Sequence, residues 1–128
     1  MSFDPKNQLT TTAVRYSAAL AANANITGID LRDYVGTVQL AINVGVATAG
    51  TDPTYDVYLQ SGSLSNGTNA TNLNVAATQF TNANAIQVLS VDTRSAGRYL
   101  KIVQTIGGTN SPSFPVGITL TGMQQVEP

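Results

Sequence analysis

The chain has 128 residues, enough for one domain with one hydrophobic core and too few for two. Only 10% of the residues are charged and His, Cys and Trp are absent, which excludes a Ser-His-Asp triad, a Cys-His dyad, the usual zinc ligands and any disulfide. Six basic and seven acidic residues give a net charge of −1, so we expect no nucleic-acid partner.

No segment of the sequence has the pattern of a targeting signal or a membrane span. Residues 1–12 are polar and lack the basic and apolar parts of a secretory signal. Residues 35–49, the longest apolar-rich stretch, are too short and too polar to cross a bilayer. We therefore expect a protein made in a cytoplasm without export by a cleaved signal, and with no membrane partner. Residues 1–128 are predicted to form one domain with a polar N-terminal arm over about residues 1–12, ordered only on binding.

Apolar residues that alternate with polar or small ones predict β-strands along most of the chain. The clearest case is residues 36–46, which place five branched side chains on one face of a sheet: Val38, Leu40, Ile42, Val44 and Val46. Shorter or less regular runs predict strands at residues 10–17, 29–32, 55–60, 86–91, 98–106 and 116–121, and residues 74–77 are a candidate for an eighth. The Ala-rich residues 18–24 are too few for a stable helix and are interpreted as the end of the first strand and a loop.

Turn clusters rich in Gly, Asn, Ser and Pro separate these strands. Seven or eight short strands with such spacing are typical of an antiparallel sandwich or barrel. We predict an all-β fold, an antiparallel β-sandwich of seven or eight strands.

One segment, residues 61–85, does not fit this pattern because it consists mostly of Ser, Asn, Thr, Gly and Ala. A connection of this length is uncommon in a compact domain. One interpretation is an arm that lies against a neighbouring subunit, with Leu73, Val75 and Phe80 as the interface candidates. The other is a loop or a weak edge strand within the same chain. The sequence leaves both open.

The first of two charged segments contains Asp30, Arg32 and Asp33. An extended backbone places Asp30 and Arg32 on the same face, which favours a local ion pair over a catalytic pair of carboxylates. A hydrolase that uses Asp30 and Asp33 alone is a remote alternative. No Asp-rich series of EF-hand type occurs, so we expect no metal site, no cofactor and no enzymatic activity.

The second charged segment contains Asp92, Arg94 and Arg98, in a turn between two predicted strands. The two arginines are suited to clasp a carboxylate or a phosphate through paired N–H groups. They are equally suited to tie the turn to Asp30, Asp33 or Asp56 elsewhere in the fold. We favour structural salt bridges, because a chain with so few charges places three of them here.

The scarcity of charge also bears on assembly. Charged residues, Lys above all, normally protect the edges and faces of a sheet from association. The predicted strands instead carry Thr, Ser, Asn, Gln and Ala, which cost less to desolvate than Lys or Glu. We therefore expect a homo-oligomer.

Two stretches resemble a known group of proteins: residues 91–123, VDTRSAGRYLKIVQTIGGTNSPSFPVGITLTGM, and residues 28–62, GIDLRDYVGTVQLAINVGVATAGTDPTYDVYLQSG. They are similar to small structural proteins of tailed bacteriophages that act as head decoration (cement) proteins beside the major capsid protein. The resemblance implies a jelly-roll-like virion protein on the outer capsid surface, with no enzymatic activity. It implies binding to the major capsid protein as a trimer, or as a dimer, and stabilisation of the expanded head. The alternative is a carbohydrate-binding module of a tail or fibre that recognises a host surface.

Overall fold

A computed structural model of the chain describes residues 7–125. Within this range the chain forms eight β-strands and one 3-10 turn. In chain order they are β1 (Asn7–Leu20), β2 (Ala24–Asp30), the 3-10 turn (Leu31–Asp33), β3 (Tyr34–Val44), β4 (Thr51–Gly62), β5 (Thr71–Ala76), β6 (Ala85–Asp92), β7 (Tyr99–Thr109) and β8 (Phe114–Gln125). The strands form two four-stranded sheets, which confirms the predicted all-β class.

The strand order of the two sheets is that of a jelly roll. One sheet has the order β1-β8-β3-β6 and the other the order β2-β7-β4-β5, and every pair is antiparallel. Successive strands therefore alternate between the sheets along most of the chain, which is the double Greek key of this fold. The strands β1 and β6 are the edges of the first sheet, and β2 and β5 are the edges of the second.

The core lies between the two sheets and follows from the period of two along each strand. It consists mainly of buried aliphatic side chains from both inner faces: Val38, Leu40, Ile42, Val44, Val57, Leu59, Leu89, Val91, Leu100, Ile102, Val116, Ile118 and Leu120. The alternation predicted from residue 38 onward holds through Val44. Val46 is an exception, because β3 ends before it and its side chain is 48% exposed.

The structure corrects the prediction of a strand at residues 29–32. The strand β2 ends at Asp30, and the chain then turns through the 3-10 segment, which buries Leu31. Two contacts stabilise this turn: the Asp30 carboxylate accepts the backbone N–H of Arg32 at 3.0 Å, and the Leu31 N–H donates to the Arg98 carbonyl at 2.7 Å. The first contact is a helix cap and the second joins distant parts of the chain. The alternation of apolar and polar residues in the sequence indicates neither of them.

The predicted N-terminal arm is corrected in part. Residues 7–12 belong to β1, where they pair with the end of β8 from Asn7 opposite Gln125 to Thr12 opposite Leu120. Residues 1–6 lie outside the described range.

The structure also decides between the two interpretations of residues 61–85. Thr71–Ala76 is an edge strand that pairs with β4 in the same chain. Phe80 is buried, exchanges backbone hydrogen bonds with Tyr55, and places its ring 5.5 Å from the Tyr55 ring. Leu73 and Val75 are half-buried against the same core. Phe80 is therefore a core residue of its own chain, which corrects its assignment as a contact to a neighbour.

A polar pair lies inside the core at Tyr55 and Gln104. The Tyr55 hydroxyl donates to Gln104 Oε1 at 2.6 Å, and Gln104 Nε2 donates to the Ala24 carbonyl at 3.5 Å. Burial raises the pKa of the Tyr55 phenol, so the hydroxyl stays protonated and remains a donor. The pair joins β4, β7 and β2, the three adjacent strands of one sheet.

Replacement of Tyr55 by Phe should lower the free energy of unfolding by about 1–3 kcal/mol, because the buried Gln104 oxygen loses its donor. Tyr58→Phe is the matched control, since Tyr58 is half-buried on the outer side of the same strand. Its effect should stay within about 0.5 kcal/mol. Denaturant titrations of both variants measure the difference, and equal effects would contradict a role for the buried pair.

Candidate functional site

Most of the charged side chains singled out in the sequence meet at one end of the sandwich. This end is formed by the 3-10 turn, by the loop after β4 and by the turn between β6 and β7, and β1 begins and β8 ends there. We call it the charged end, and its charged residues are Asp30, Arg32, Asp33, Asp92, Arg94 and Arg98. The opposite end consists of the loops at residues 21–23, 45–50, 77–84 and 110–113, which contain no acidic or basic residue.

The central contact of the charged end is the ion pair of Arg98 with Asp30. The Arg98 Nη2 lies 3.0 Å from Asp30 Oδ2, and Arg98 Nε lies 3.3 Å and 3.4 Å from the two carboxylate oxygens. The Arg98 hydrogen bond, with further help from the Arg32 N–H, lowers the pKa of Asp30 despite partial burial. The same hydrogen bond raises the pKa of Arg98, whose guanidinium also lies over the Tyr99 ring at 4.9 Å.

The turn at residues 93–98 is held in place by its backbone as well. Thr93 donates to the Gly36 carbonyl through its N–H at 3.0 Å and through its hydroxyl at 2.7 Å. The Gly97 N–H donates to the Ser61 hydroxyl at 2.8 Å, and a Cβ on Gly97 would lie 2.8 Å from the Gly62 nitrogen. Only glycine permits so close an approach of two backbones.

Three arginines line one cavity at this end. The cavity has a volume of about 410 Å³ and is lined by Leu31, Tyr34, the turn at 93–97, and the side chains of Arg32, Arg94 and Arg98. Arg94 is 83% exposed and its Nε lies 3.5 Å from Asp92 Oδ1, a contact that binds it weakly. A second cavity of about 310 Å³ lies on the other side of the 3-10 turn and is lined by Asp30 and Asp33 instead. The first cavity, which we call the arginine pocket, is therefore suited to a carboxylate or phosphate of a partner.

A second surface is notable for its lack of charge. It is the part of the outer face of the β1-β8-β3-β6 sheet that lies between Asp92, at the end of β6, and Arg15, on the edge strand β1. None of the outward residues in its four rows is acidic or basic. Its residues, row by row across the strands, are Leu9, Met123 and Val35; Thr11, Thr121, Gln39 and Ser90; Ala13, Thr119, Ala41 and Val88; and Tyr16, Gly117, Asn43 and Ile86. We call this surface the uncharged face.

Exposed apolar side chains concentrate on the uncharged face. Eight large hydrophobic residues are exposed in the part of the chain that the structure describes, and six of them belong to it: Leu9, Tyr16, Val35, Ile86, Val88 and Met123. They form two groups separated by a row of Thr, Gln and Ser: one near the charged end and one beside the groove. Scattered exposed apolar residues are ordinary, but such a concentration on one face is typical of a binding surface. Arg15, on the same edge strand, turns back and donates to the carbonyls of Val116, Ala18 and Ala19, so its charge is held at the strand edge.

A groove of about 340 Å³ crosses the uncharged face. Its floor is made by small side chains, chiefly Ala13, Ala41 and Gly117, and its two sides carry Tyr16 and Ile86, which are 82% and 66% exposed. The small residues keep the floor low, and the two large ones stand above it. Arg15 also lines the groove, but its guanidinium group donates to three backbone carbonyls of its own chain. The groove therefore offers a mainly apolar depression that an apolar ridge would fill.

Sequence reasoning found the charged end but missed the uncharged face. Of the partners considered for the second charged segment, the structure places Asp30 against Arg98. Arg32 contacts Asp30 through its backbone N–H rather than through the side-chain ion pair that was expected. A signal for the uncharged face was present in the run Ile86, Val88, Leu89 and Val91, which is apolar on both faces of a strand although only one face meets the core.

The described residues show few features of other functional classes. No group of three or more Asp, Glu, His or Cys side chains within residues 7–125 is placed to hold a metal ion. Within the same range, no helix has the length and apolar character needed to cross a membrane.

Comparison with known proteins supports the fold. No protein-family model and no curated protein matches the sequence. Among solved structures, the SPBc2 prophage-derived protein YomS matches with a TM-score of 0.50 at 8% identity, over 97% of this chain and 100% of that chain. A protein of the disulfide-linked pili of Bacillus endospore appendages gives 0.46 at 16% identity, over 99% and 98% of the two chains. VP2 of infectious bursal disease virus gives 0.48 at 11% identity, over 98% of this chain and 37% of that chain.

These similarities concern the fold alone, because the identities are so low. The pilus protein and VP2 have TM-scores below 0.50, so nothing further follows from those two similarities. The similarity to YomS extends over both whole chains, so this jelly roll is a fold that a prophage-derived protein also has.

The ion pair at the charged end should make stability depend on pH in the acid range. The folded-state pKa of Asp30 lies below its ordinary value of 3.8, so the stabilisation is fully present above that value and is lost as the pH falls through the folded-state pKa. Thermal melts at about pH 5 and about pH 2.5 should show a smaller loss for Asp30→Asn and for Arg98→Gln than for the wild type. Parallel pH profiles of all three proteins would contradict this role of the pair.

Proposed function

We propose that this chain is a structural protein of a bacteriophage virion, a decoration protein that binds the outer surface of the expanded head and stabilises it. The observation that carries the proposal is the uncharged face, which holds six of the eight large exposed apolar residues in the described part of a small jelly roll. Such a surface is a liability for a free monomer and an advantage for a subunit that works within an assembly.

Two further observations support a phage origin. The fold is shared, over both whole chains, with a prophage-derived protein. Residues 28–62 and 91–123 resemble head decoration proteins of tailed phages, and in the structure these stretches contribute β3, β4, β7 and β8 together with both charged segments. The part of the sequence that carries the resemblance is therefore the part that builds the centre of both sheets and the charged end.

The charged end is the proposed capsid-binding surface. Its arginine pocket presents Arg32, Arg94 and Arg98 to a partner, while Asp30 and Asp33 line the cavity on the other side of the 3-10 turn. Guanidinium groups bind carboxylates through paired hydrogen bonds, so the pocket fits acidic side chains of the major capsid protein. Each contact of this kind is weak by itself. A homo-oligomer that engages several capsid subunits at once gains affinity through effective concentration.

The proposal predicts that Arg94→Glu weakens binding to expanded phage heads at least tenfold, because it places a like charge opposite the acidic partner. Arg94 is suited to this test because it is 83% exposed and weakly bound within the chain. Lys101→Glu is the matched control, with the same change of charge on the outer face of the other sheet, where the Lys101 ammonium lies 3.5 Å from the Gly67 carbonyl. Co-sedimentation with purified expanded heads measures the affinity, and thermal melts establish that both variants are folded.

The salt dependence gives a second readout, since contacts between exposed charges weaken at high ionic strength. Wild-type binding should fall with added salt, and Arg94→Glu should respond less. Failure of the wild type to bind expanded heads at any salt concentration would overturn the proposal. If it instead bound host glycans on an array, the tail or fibre carbohydrate-binding module would replace it.

A further inference from the structure

We infer that a second copy of this chain covers the uncharged face, through a two-fold contact in which Ile86 and Val88 of each copy lie in the groove of the other. This inference goes beyond the proposed function, because it concerns the free chain and needs no capsid. It assigns the exposed edge of β6 and the floor formed by β8 and β3 to a single interface.

The absence of charge is the first argument for a second copy. In a two-fold contact each surface meets itself, so any charge on it lies near a like charge of the partner. A charged face therefore opposes its own dimerisation. The outward residues in the four rows of the uncharged face are neutral, and the one charged residue that lines the groove, Arg15, donates to the carbonyls of Val116, Ala18 and Ala19 in its own chain. A partner of different sequence would gain specificity from complementary charges, and this face offers none.

The second argument is shape. Ile86 and Val88 are 66% and 54% exposed and form a ridge along the edge strand β6. The neighbouring floor is made by small residues, with Ala41 on β3 and Gly117 and Thr119 on β8. Ridge and floor lie side by side on one surface, so a two-fold axis that runs near β3 brings each ridge over the floor of the other copy. The contact is then made twice.

The third argument is area. Four strands spaced about 4.8 Å apart, with about eight residues each at about 3.3 Å per residue, give a face of about 500 Å² in projection. Side-chain relief increases the accessible area above that value. A standard protein interface buries about 800 Å² on each partner, so a stable dimer has to bury nearly the whole of the uncharged face, side-chain relief included.

The contact is compatible with the proposed capsid site. The arginine pocket lies at the end of the sandwich, whereas the uncharged face runs along its side, so both surfaces remain available in one subunit. A two-fold contact also covers part of the edge strand β6, which would otherwise present unpaired backbone groups.

The mass of the full-length chain in solution tests the inference. Sedimentation equilibrium should give twice the chain mass of 13.3 kDa, and Val88→Lys should raise the dissociation constant at least tenfold. Thr105→Lys is the matched control, because Thr105 is exposed on the outer face of the other sheet. It should leave the dissociation constant unchanged. Dimerisation should persist at high salt, since it involves no ion pair.

Cysteine cross-linking gives an independent measurement that does not depend on weakening the contact. The chain has no Cys, so a single introduced thiol is unique. Asn43→Cys on β3, near the proposed axis, should form a cross-linked dimer with a short bismaleimide at low protein concentration. Thr105→Cys should not.

Three results would overturn the inference: a wild-type monomer at high concentration, a trimer, or a dimer that Val88→Lys leaves intact and Asn43→Cys does not cross-link. If the chain is monomeric and Val88→Lys abolishes binding to heads, the uncharged face contacts the capsid instead. In that case the proposed function survives and the two-fold contact does not.

Discussion

The alternation of side chains along each strand decides where the few charges of this chain can lie. A strand in a two-layer sandwich sends every second residue into the core, where an unpaired charge is too costly. The remaining places are outer faces and loops. Six of the charged residues lie at one end of the molecule, and the four rows of the uncharged face have none. The few charged residues of the sequence are thus distributed unevenly over the surface of the fold.

The charged end shows how so small a set of charges can both hold two loops together and line an exposed pocket. Arg98 donates to the Asp30 carboxylate through its side chain and accepts the Leu31 N–H through its carbonyl. This one residue therefore ties the turn between β6 and β7 to the end of β2. These contacts join two loops that are far apart in sequence. Because Asp30 neutralises Arg98, the cavity beside it depends on Arg32 and Arg94 for its net positive character. A frame held by hydrogen bonds therefore presents the exposed guanidinium of Arg94.

The sequence predicted the parts of the fold that depend on local pattern. The strands β3, β7 and β8 were recognisable because their inward residues are uniformly apolar or, at Gln104, paired inside the core. The 3-10 turn was not, because the burial of Leu31 and its bond to Arg98 involve residues almost seventy positions apart. The uncharged face was missed for a similar reason: the neutral outward residues of each strand are visible in the sequence, but the order that places these four strands side by side is not.

The contrast between the two sheets argues that the neutrality of one face has a purpose. The outer face of the β2-β7-β4-β5 sheet carries Asp56, which accepts a hydrogen bond from Gln79, and Lys101, which reaches the Gly67 carbonyl. Those charges keep that face hydrated. A sequence that was merely poor in charge would leave both outer faces alike. The neutral rows of the uncharged face are what the proposed contact with a second copy requires.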